Sequence, residues 1–480
     1  MATIASPALG RPPQPAMAAA STGLTVPPVG LGLPLASPTI CFAAFVAVCT
    51  IEYLGLAQQF SIIRVTRMAT FFAYGLFIWA LASGGTRLIK ESNEGKVHLT
   101  FLVFTCFGVL WAVVRSIVPL QARYHLDYLG LFTMTGWLMT NRKRIDILSI
   151  AFVFIAVGLV TQNLSLLQSS ARVGVFKGGY FLGDGNDFAW GLNVMLPFAM
   201  NLMVGKRWIT TRLFGLGGFM AIVFGTVGTQ SRGGTLAIGT ALLLYWLTVS
   251  KRKALGAILI VCVGIGGALA APATYVDRLN SIGDYQEDSS SQGRLRAWHA
   301  ALKMAIDFPL GVGANNFSRA YGRYYIPEDT SGYKAFRWIS PHSVYFRVIG
   351  EYGYPGFALL IWLIWSIWRD NRAVAAGMKK HPGMDFGIPE NWPLLLNVGL
   401  GAYCVGGIFL GGFAYPHLFM LSGLTIGSRR AVEAHLATLA TAAPNGDAAA
   451  AAPAPAATRW PTPMVGRRPG AAMGRPEHAS

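Results

Sequence analysis

The chain has 480 residues, 53% of them hydrophobic and only 12% charged, with a mean hydropathy of +0.46. That is too little charge to cover a soluble domain of this length, and the apolar residues come in runs near the roughly 20 that cross a bilayer. The formal net charge of +18 would point to nucleic acid in a soluble protein. Here the Lys and Arg gather in short clusters between apolar runs, as they do in cytoplasmic loops, so nucleic-acid binding is set aside.

Residues 1–38 are rich in Ala, Pro, Gly, Ser and Thr. They bury too little to offset ordering entropy and are expected to form a disordered tail, and they lack the basic and apolar regions of a cleaved signal peptide. Twelve spans are then predicted, over residues 39–58, 69–83, 99–118, 124–140, 145–161, 188–204, 213–227, 234–249, 254–271, 344–368, 394–413 and 414–426. Residues 431–480 return to the composition of a disordered tail. The five cysteines, Cys41, Cys49, Cys106, Cys262 and Cys404, all lie in apolar runs without metal-ligand spacing, which argues against a disulfide framework or a zinc site.

Basic clusters follow spans four (Arg142, Lys143, Arg144), six (Lys206, Arg207, Arg212), eight (Lys251, Arg252, Lys253), ten (Arg369, Arg372, Lys379, Lys380) and twelve (Arg429, Arg430). All five fall on one side, which the positive-inside rule makes cytoplasmic together with both termini. Arg64 and Arg67 fall on the other side and count against this orientation. The expected fold is therefore an all-α polytopic membrane protein of about 12 transmembrane helices over residues 39–430. A large external loop, residues 272–341, joins spans nine and ten, and a long loop among short connections is where function is usually carried.

Three external features can carry chemistry. Arg232 lies in Gln230-Ser231-Arg232-Gly233-Gly234 at the mouth of spans seven and eight. Its glycine neighbours would let a bulky anion approach the backbone, although a charge at a span end can simply snorkel to water. Ser289, Ser290 and Ser291 are candidate N-caps for a helix in which Leu295, Trp298, Leu302 and Ala305 recur at helical spacing. Arg294 and Trp298 share a face of it. A helix N-terminus with adjacent arginine suits phosphate, and an amphipathic helix resting on lipid headgroups is the competing reading.

The third feature is His342, where the loop re-enters the membrane after Pro341. A lone His is usually structural, yet at an aqueous boundary it can serve as a general base. Arg347 and Glu351, four apart in the outer part of span ten, are expected to pair with each other in a supporting role. Asp184 and Asp187, before span six, read as a turn and helix cap more readily than as cation ligands. No GxxxxGK[ST], HExxH or GxSxG pattern occurs, which speaks against ATP bound to this chain and against a serine hydrolase.

Four blocks together resemble the O-antigen ligase superfamily, which also contains O-antigen polymerases and bacterial protein O-oligosaccharyltransferases. They are Asp184-Gly185-Asn186-Asp187-Phe188-Ala189 with Pro197; Gln230 to Gly234; Arg294-Leu295-Arg296-Ala297-Trp298 running to Pro309-Leu310-Gly311-Val312-Gly313; and His342-Ser343 with Gly350-Glu351-Tyr352-Gly353 and Gly356. The resemblance covers about residues 180–430, and the first 180 residues add only hydropathy.

The resemblance implies an inner-membrane glycosyltransferase of lipopolysaccharide biosynthesis that works at the periplasmic face without cofactor, metal or nucleotide. The donor it implies is a glycan on undecaprenyl diphosphate, with His342 as base and Arg232 and Arg294 holding the diphosphate. Arg296 is a close alternative to Arg294. Paired arginines can stabilise the charge that develops on a departing diphosphate, and a base on the far side of the anomeric carbon favours inversion. The acceptor is a hydroxyl of lipid A core in a ligase, of a second lipid-linked glycan in a polymerase, or of protein in an oligosaccharyltransferase. The general pattern leans toward a ligase. Tyr321, Tyr324, Tyr325, Tyr333 and Trp338 would stack on sugars or anchor the loop at the interface. A lipid-linked glycan or anion transporter lined by Arg232 and Arg294 is the rival of another class, although the chain shows no internal repeat of the kind transporters use.

Overall fold

The computed structural model describes residues 37–169, 175–270, 289–326, 339–413 and 415–442. These are helices and connecting turns, with no strand among the described residues. Both predicted tails lie largely outside them, as do the predicted loop residues 272–288 and 327–338, with Tyr333 and Trp338. One compact unit runs to His435, and Leu436 begins a second.

The first helices are α1 (Pro38–Leu54), α2 (Met68–Ala80), α3 (Asn93–Phe107), α4 (Val118–Leu138) and α5 (Arg142–Gln162). Their ends follow capping chemistry. Ser37, Ser92 and Asn141 each accept a backbone N–H of the first turn of α1, α3 and α5, satisfying donors that a helix start leaves open. Gly55 closes α1 with φ +62°, and Gly84, at φ +103°, bends the chain where α2 passes into Thr86–Glu91.

Next come α6 (Gly185–Val194), α7 (Leu196–Met203), α8 (Ile209–Gly228), α9 (Arg232–Thr248) and α10 (Lys253–Ala270). The sixth predicted span is thus two helices, broken at Met195. Pro197 supplies no N–H to continue the ladder, but it is tolerated in the first turn of α7. The last elements are α11 (Ser289–Asp307), α12 (Phe317–Tyr324), α13 (Val344–Lys379), α14 (Trp392–Phe409) and α15 (Pro416–Ala442). α15 runs on past residue 430, where the sequence reading begins the C-terminal tail.

Among the described residues, five helices are long and apolar enough to cross a membrane: Met68–Glu91, Arg142–Gln162, Ile209–Gly228, Val344–Lys379 and Trp392–Phe409. Shorter apolar helices include Pro38–Leu54. Small residues bring the helices together, as is common where lipid removes any hydrophobic drive between them. α9 packs on α14, with Gly233 so close to Phe409 that a Cβ there would stand 2.8 Å from the Phe409 Cβ. A Cβ on Gly399 would meet the Pro197 ring at 2.5 Å, which joins α14 to α7.

The segment between α10 and α13, where described, has a small core of its own: Ala297, Ala300, Ala301 and Met304 of α11 with Val312, Phe317 and Tyr321, backed by Phe346 and Ile349 of α13. The buried face of α11 is thus its small-residue face. Leu295 and Leu302 are 45% and 47% exposed. The alanines are what let α11 approach α13 closely, so the larger leucines are turned outward.

Candidate active site

Two helix starts, each with a serine at the N-cap position, define the site. Ser231 is the N-cap of α9, its Oγ accepting from the Gly234 N–H, and Ser343 is the N-cap of α13. The residue before each, Gln230 (φ 56°) and His342 (φ 43°), has the left-handed backbone that L-residues seldom adopt. Each turn swings the chain sharply into its helix, and outliers of this kind gather at functional sites. Both starts meet the same turn of α14. Ser343 Oγ donates to the Gly407 carbonyl at 3.4 Å, and Gly233 lies against Phe409. Arg232, the first residue of α9, and His342, just before α13, therefore stand at one end of the bundle. The side chain of His342 is exposed there and that of Arg232 is partly buried.

The first block is bonded to the second. Asp184 caps α6, its Oδ1 accepting the Asn186 N–H at 2.8 Å, and Ser231 Oγ donates to Asn186 Oδ1 at 2.9 Å. Two helix turns on, Asn193 Nδ2 donates to the Gly234 carbonyl at 2.8 Å. The cap reading of Asp184 is thus what the structure shows. Asp187 does something else: it accepts the Tyr415 hydroxyl at 2.8 Å. Burial pushes its carboxyl up to about 6, with the Tyr415 bond opposing, Asp184 reinforcing and Arg347 opposing.

The third block is bonded to the fourth. Trp298 Nε1 donates to the Pro341 carbonyl at 2.7 Å, and its ring stacks on Phe346 at 4.7 Å. α11 thus grips the peptide that carries His342. Arg294, one turn before Trp298, is partly buried, and helical spacing puts it on the same face. Arg296 points elsewhere. Its charge acts on Tyr321, whose hydroxyl burial raises and Arg296 lowers. Below them, the 309–313 turn is sewn to the first turns of α13. Val312 N–H donates to the Gly350 carbonyl at 3.0 Å, Gly313 N–H to the Glu351 carbonyl at 3.0 Å and Tyr354 N–H to the Pro309 carbonyl at 3.1 Å. Gly353, at φ 63° and ψ −162° inside α13, has backbone that only glycine adopts readily, and the Pro309 carbonyl occupies the place of its missing Cβ.

Arg347 and Glu351 do not pair with each other, contrary to the expectation from their spacing. Arg347 Nη2 donates to Ser340 Oγ at 2.9 Å, while its buried Nε meets no partner among the described residues. Glu351 takes the Asn315 N–H at 2.8 Å and the Phe317 N–H at 3.4 Å. The backbone turn at 311–317 supplies donors closer at hand than Arg347, so Glu351 holds the loop. Arg347 instead reaches toward Gly411, 3.5 Å from where a Cβ would stand, and that same point is 3.2 Å from the His342 Cα. Tyr415 carries no sequence signal of its role. Its position, 228 residues from its Asp187 partner, leaves no local pattern to find.

The architecture is that of a helical membrane protein with a polar site where the segment between α10 and α13 meets the ends of three helices. Residues 217–361 match the O-antigen ligase family, and over that stretch the chain carries an O-antigen ligase domain. The matched stretch holds Arg232, Arg294, Arg296, His342, Arg347 and Glu351 and leaves out Asp187 and Tyr415. The match covers that stretch alone, and it points to the membrane glycosyltransferases of the O-antigen ligase or polymerase kind. No curated protein matches the chain.

Proposed function

We propose that the protein transfers a glycan from undecaprenyl diphosphate to an acceptor hydroxyl at the periplasmic face of the inner membrane, as an O-antigen ligase. The observation that carries this reading is the Trp298–Pro341 hydrogen bond, which fixes the helix of Arg294 to the peptide of His342. In the proposed step His342 takes the acceptor proton, the acceptor oxygen bonds to the anomeric carbon, and the bond from that carbon to the diphosphate oxygen breaks with inversion. Arg232 and Arg294 take up the charge left on the diphosphate, in a role that elsewhere falls to a metal ion. The N-terminus of α9, with its open N–H groups, adds positive potential beside Arg232.

Arg294 is the better second arginine, because it shares the Trp298 face while Arg296 sits toward Tyr321. Arg347 positions the re-entry of the loop through Ser340, and the Asp187–Tyr415 bond braces it from the side of α6. The shorter apolar helices complete about twelve crossings, with both termini and the basic clusters cytoplasmic. The domain proper spans residues 39–430. A polymerase or protein oligosaccharyltransferase would use the same residues with a different acceptor.

The test is transfer by purified protein from undecaprenyl-diphosphate glycan to lipid A core, to a second lipid-linked glycan and to a Ser-containing protein, in EDTA and without ATP. We expect product on lipid A core and its loss, by at least about 10²-fold for a general base, in His342→Ala. An active His342→Ala enzyme removes the base assignment, and product on another acceptor moves the protein to that subclass.

A further inference from the structure

On the flank of the bundle, α9, α13 and α14 enclose a cavity of about 550 Å³, within the roughly 300–1,000 Å³ of small-molecule sites. Most of its wall is apolar: Leu244 of α9, Ile361 and Trp365 of α13, and Leu400 of α14. Ile361 and Trp365 are 45% and 53% exposed, so the cavity is open along the side. Its polar groups lie at one end. Asn397 there is already engaged, donating to the Trp368 carbonyl at 3.2 Å and accepting from Asn371 at 3.0 Å. Arg372 is not. Its guanidinium lies 4.9 Å over the Trp368 ring and makes no hydrogen bond or ion pair among the described residues. Arg372 follows Val344 by 28 residues on the same helix, roughly 40 Å at 1.5 Å per residue, so this end is far from His342.

We propose that this groove binds an anionic phospholipid of the leaflet opposite His342, with an acyl chain along Leu244, Ile361 and Trp365 and the phosphate on Arg372. An apolar slot open to one side suits a hydrocarbon chain. A guanidinium with open donors over a tryptophan face, at the depth where aromatic rings settle at the interface, suits a phosphate. A zwitterionic lipid brings its own cation to that phosphate and gains less from Arg372. A lipid whose diphosphate is held near Arg232 has its headgroup at the wrong end to use Arg372. The inference rests on the membrane placement of these helices and is independent of glycan transfer.

The test uses the full-length protein in nanodiscs of equal phosphatidylglycerol and phosphatidylcholine, extracted into detergent, with the retained lipid counted by mass spectrometry. Phosphatidylglycerol should be retained over phosphatidylcholine by roughly fivefold, the contribution of one basic side chain at a charged membrane surface. Arg372→Glu should abolish that preference and Arg372→Lys keep it. Leu244→Trp, which fills the slot, should lower retention of both lipids. If Arg372→Glu fails to fold, Arg372→Gln takes its place. An unchanged preference in the charge variant, or unchanged retention in Leu244→Trp, overturns the proposal. So does displacement of the retained lipid by equimolar undecaprenyl phosphate, which would give the groove to an isoprenoid tail.

Discussion

At the C-terminal end of α13, Asp370 is held between two arginines, with Arg369 Nη2 at 2.8 Å and Arg429 Nη1 at 3.1 Å. Arg429 also reaches Glu433 at 2.7 Å, and its neighbour Arg430 donates to the Gly136 carbonyl at 2.8 Å while lying over Trp137. At the N-terminal end of the same helix, Arg347 and Glu351 make no ion pair among the described residues and bond instead to a serine hydroxyl and to backbone N–H groups. One end spends its charges on each other and ties three segments together. The other holds each charge by neutral partners, which keeps its electrostatic pull available to a ligand. Charges that neutralise one another read as structure, and charges braced separately read as a site.

The strongest way to break this contrast is at Arg347. Arg347→Ala should cut transfer by about 10²-fold, the scale for displacing a reacting group by about 1 Å, because the peptide of His342 loses its brace through Ser340, while the unfolding midpoint of the purified protein moves little. Arg347→Lys should recover only part of the rate, since an ammonium cannot reproduce the planar fork. A large loss of thermal stability with normal turnover would instead make this end structural like the other.

Asp370→Ala should do the reverse. It leaves two arginines without their shared partner, and because both are about a quarter exposed the cost is discounted to roughly 2–3 kcal/mol. Thermal unfolding in a fixed detergent reads that loss, and the folded fraction should keep its specific activity. Glu351→Ala is expected to fall below this, at about 1–3 kcal/mol for exposing two backbone donors to a partnerless site. Its signature is early protease cleavage within 309–317, ahead of global unfolding.

The smallest effect concerns Asp187. Its carboxyl titrates at about 6 instead of the ordinary 3.8, so the folded state binds this proton more tightly than the unfolded chain does. The stability this adds is complete below about pH 4 and is lost as the pH rises through 6. The groups facing it are Asp184 on its own helix, Tyr415, and Arg347 on α13. Unfolding midpoints measured from pH 5 to 7.5 should fall less steeply in Asp187→Asn than in the unaltered protein. Parallel curves would show that Asp187 does not carry that proton.

Much of this was readable from composition and spacing, because apolar run length and capping residues act locally. Ser231, Pro341 and the serines at 289–291 mark helix starts wherever they occur. α11 ends at Asp307, just before Pro309 as predicted, and all three serines lie within its printed span. What spacing could not show was how distant segments share partners. Arg347 and Glu351 are ideally placed to pair on an isolated helix, and they part company only because the 311–317 turn offers Glu351 two N–H groups. The spacing of Leu295, Trp298, Leu302 and Ala305 shows a helix but not which face is buried, because close helix approach rewards alanine over the more hydrophobic leucine. Tyr415 lies just beyond the sequence blocks, and nothing but three-dimensional contact links it to Asp187.

Gly353 bears on how this protein can be re-engineered. Its backbone and the Pro309 carbonyl fill the same space from opposite sides, while Gly311 (φ 83°) makes room in return for the Glu351 carbonyl. Residues 309–313 and 350–356 are therefore one cassette written in two places. A chimera that imports a foreign outer loop to change the acceptor must carry both halves. A graft that moves only the first would meet a helix bent for a different turn, and would lose the register of His342 before any acceptor preference could be read.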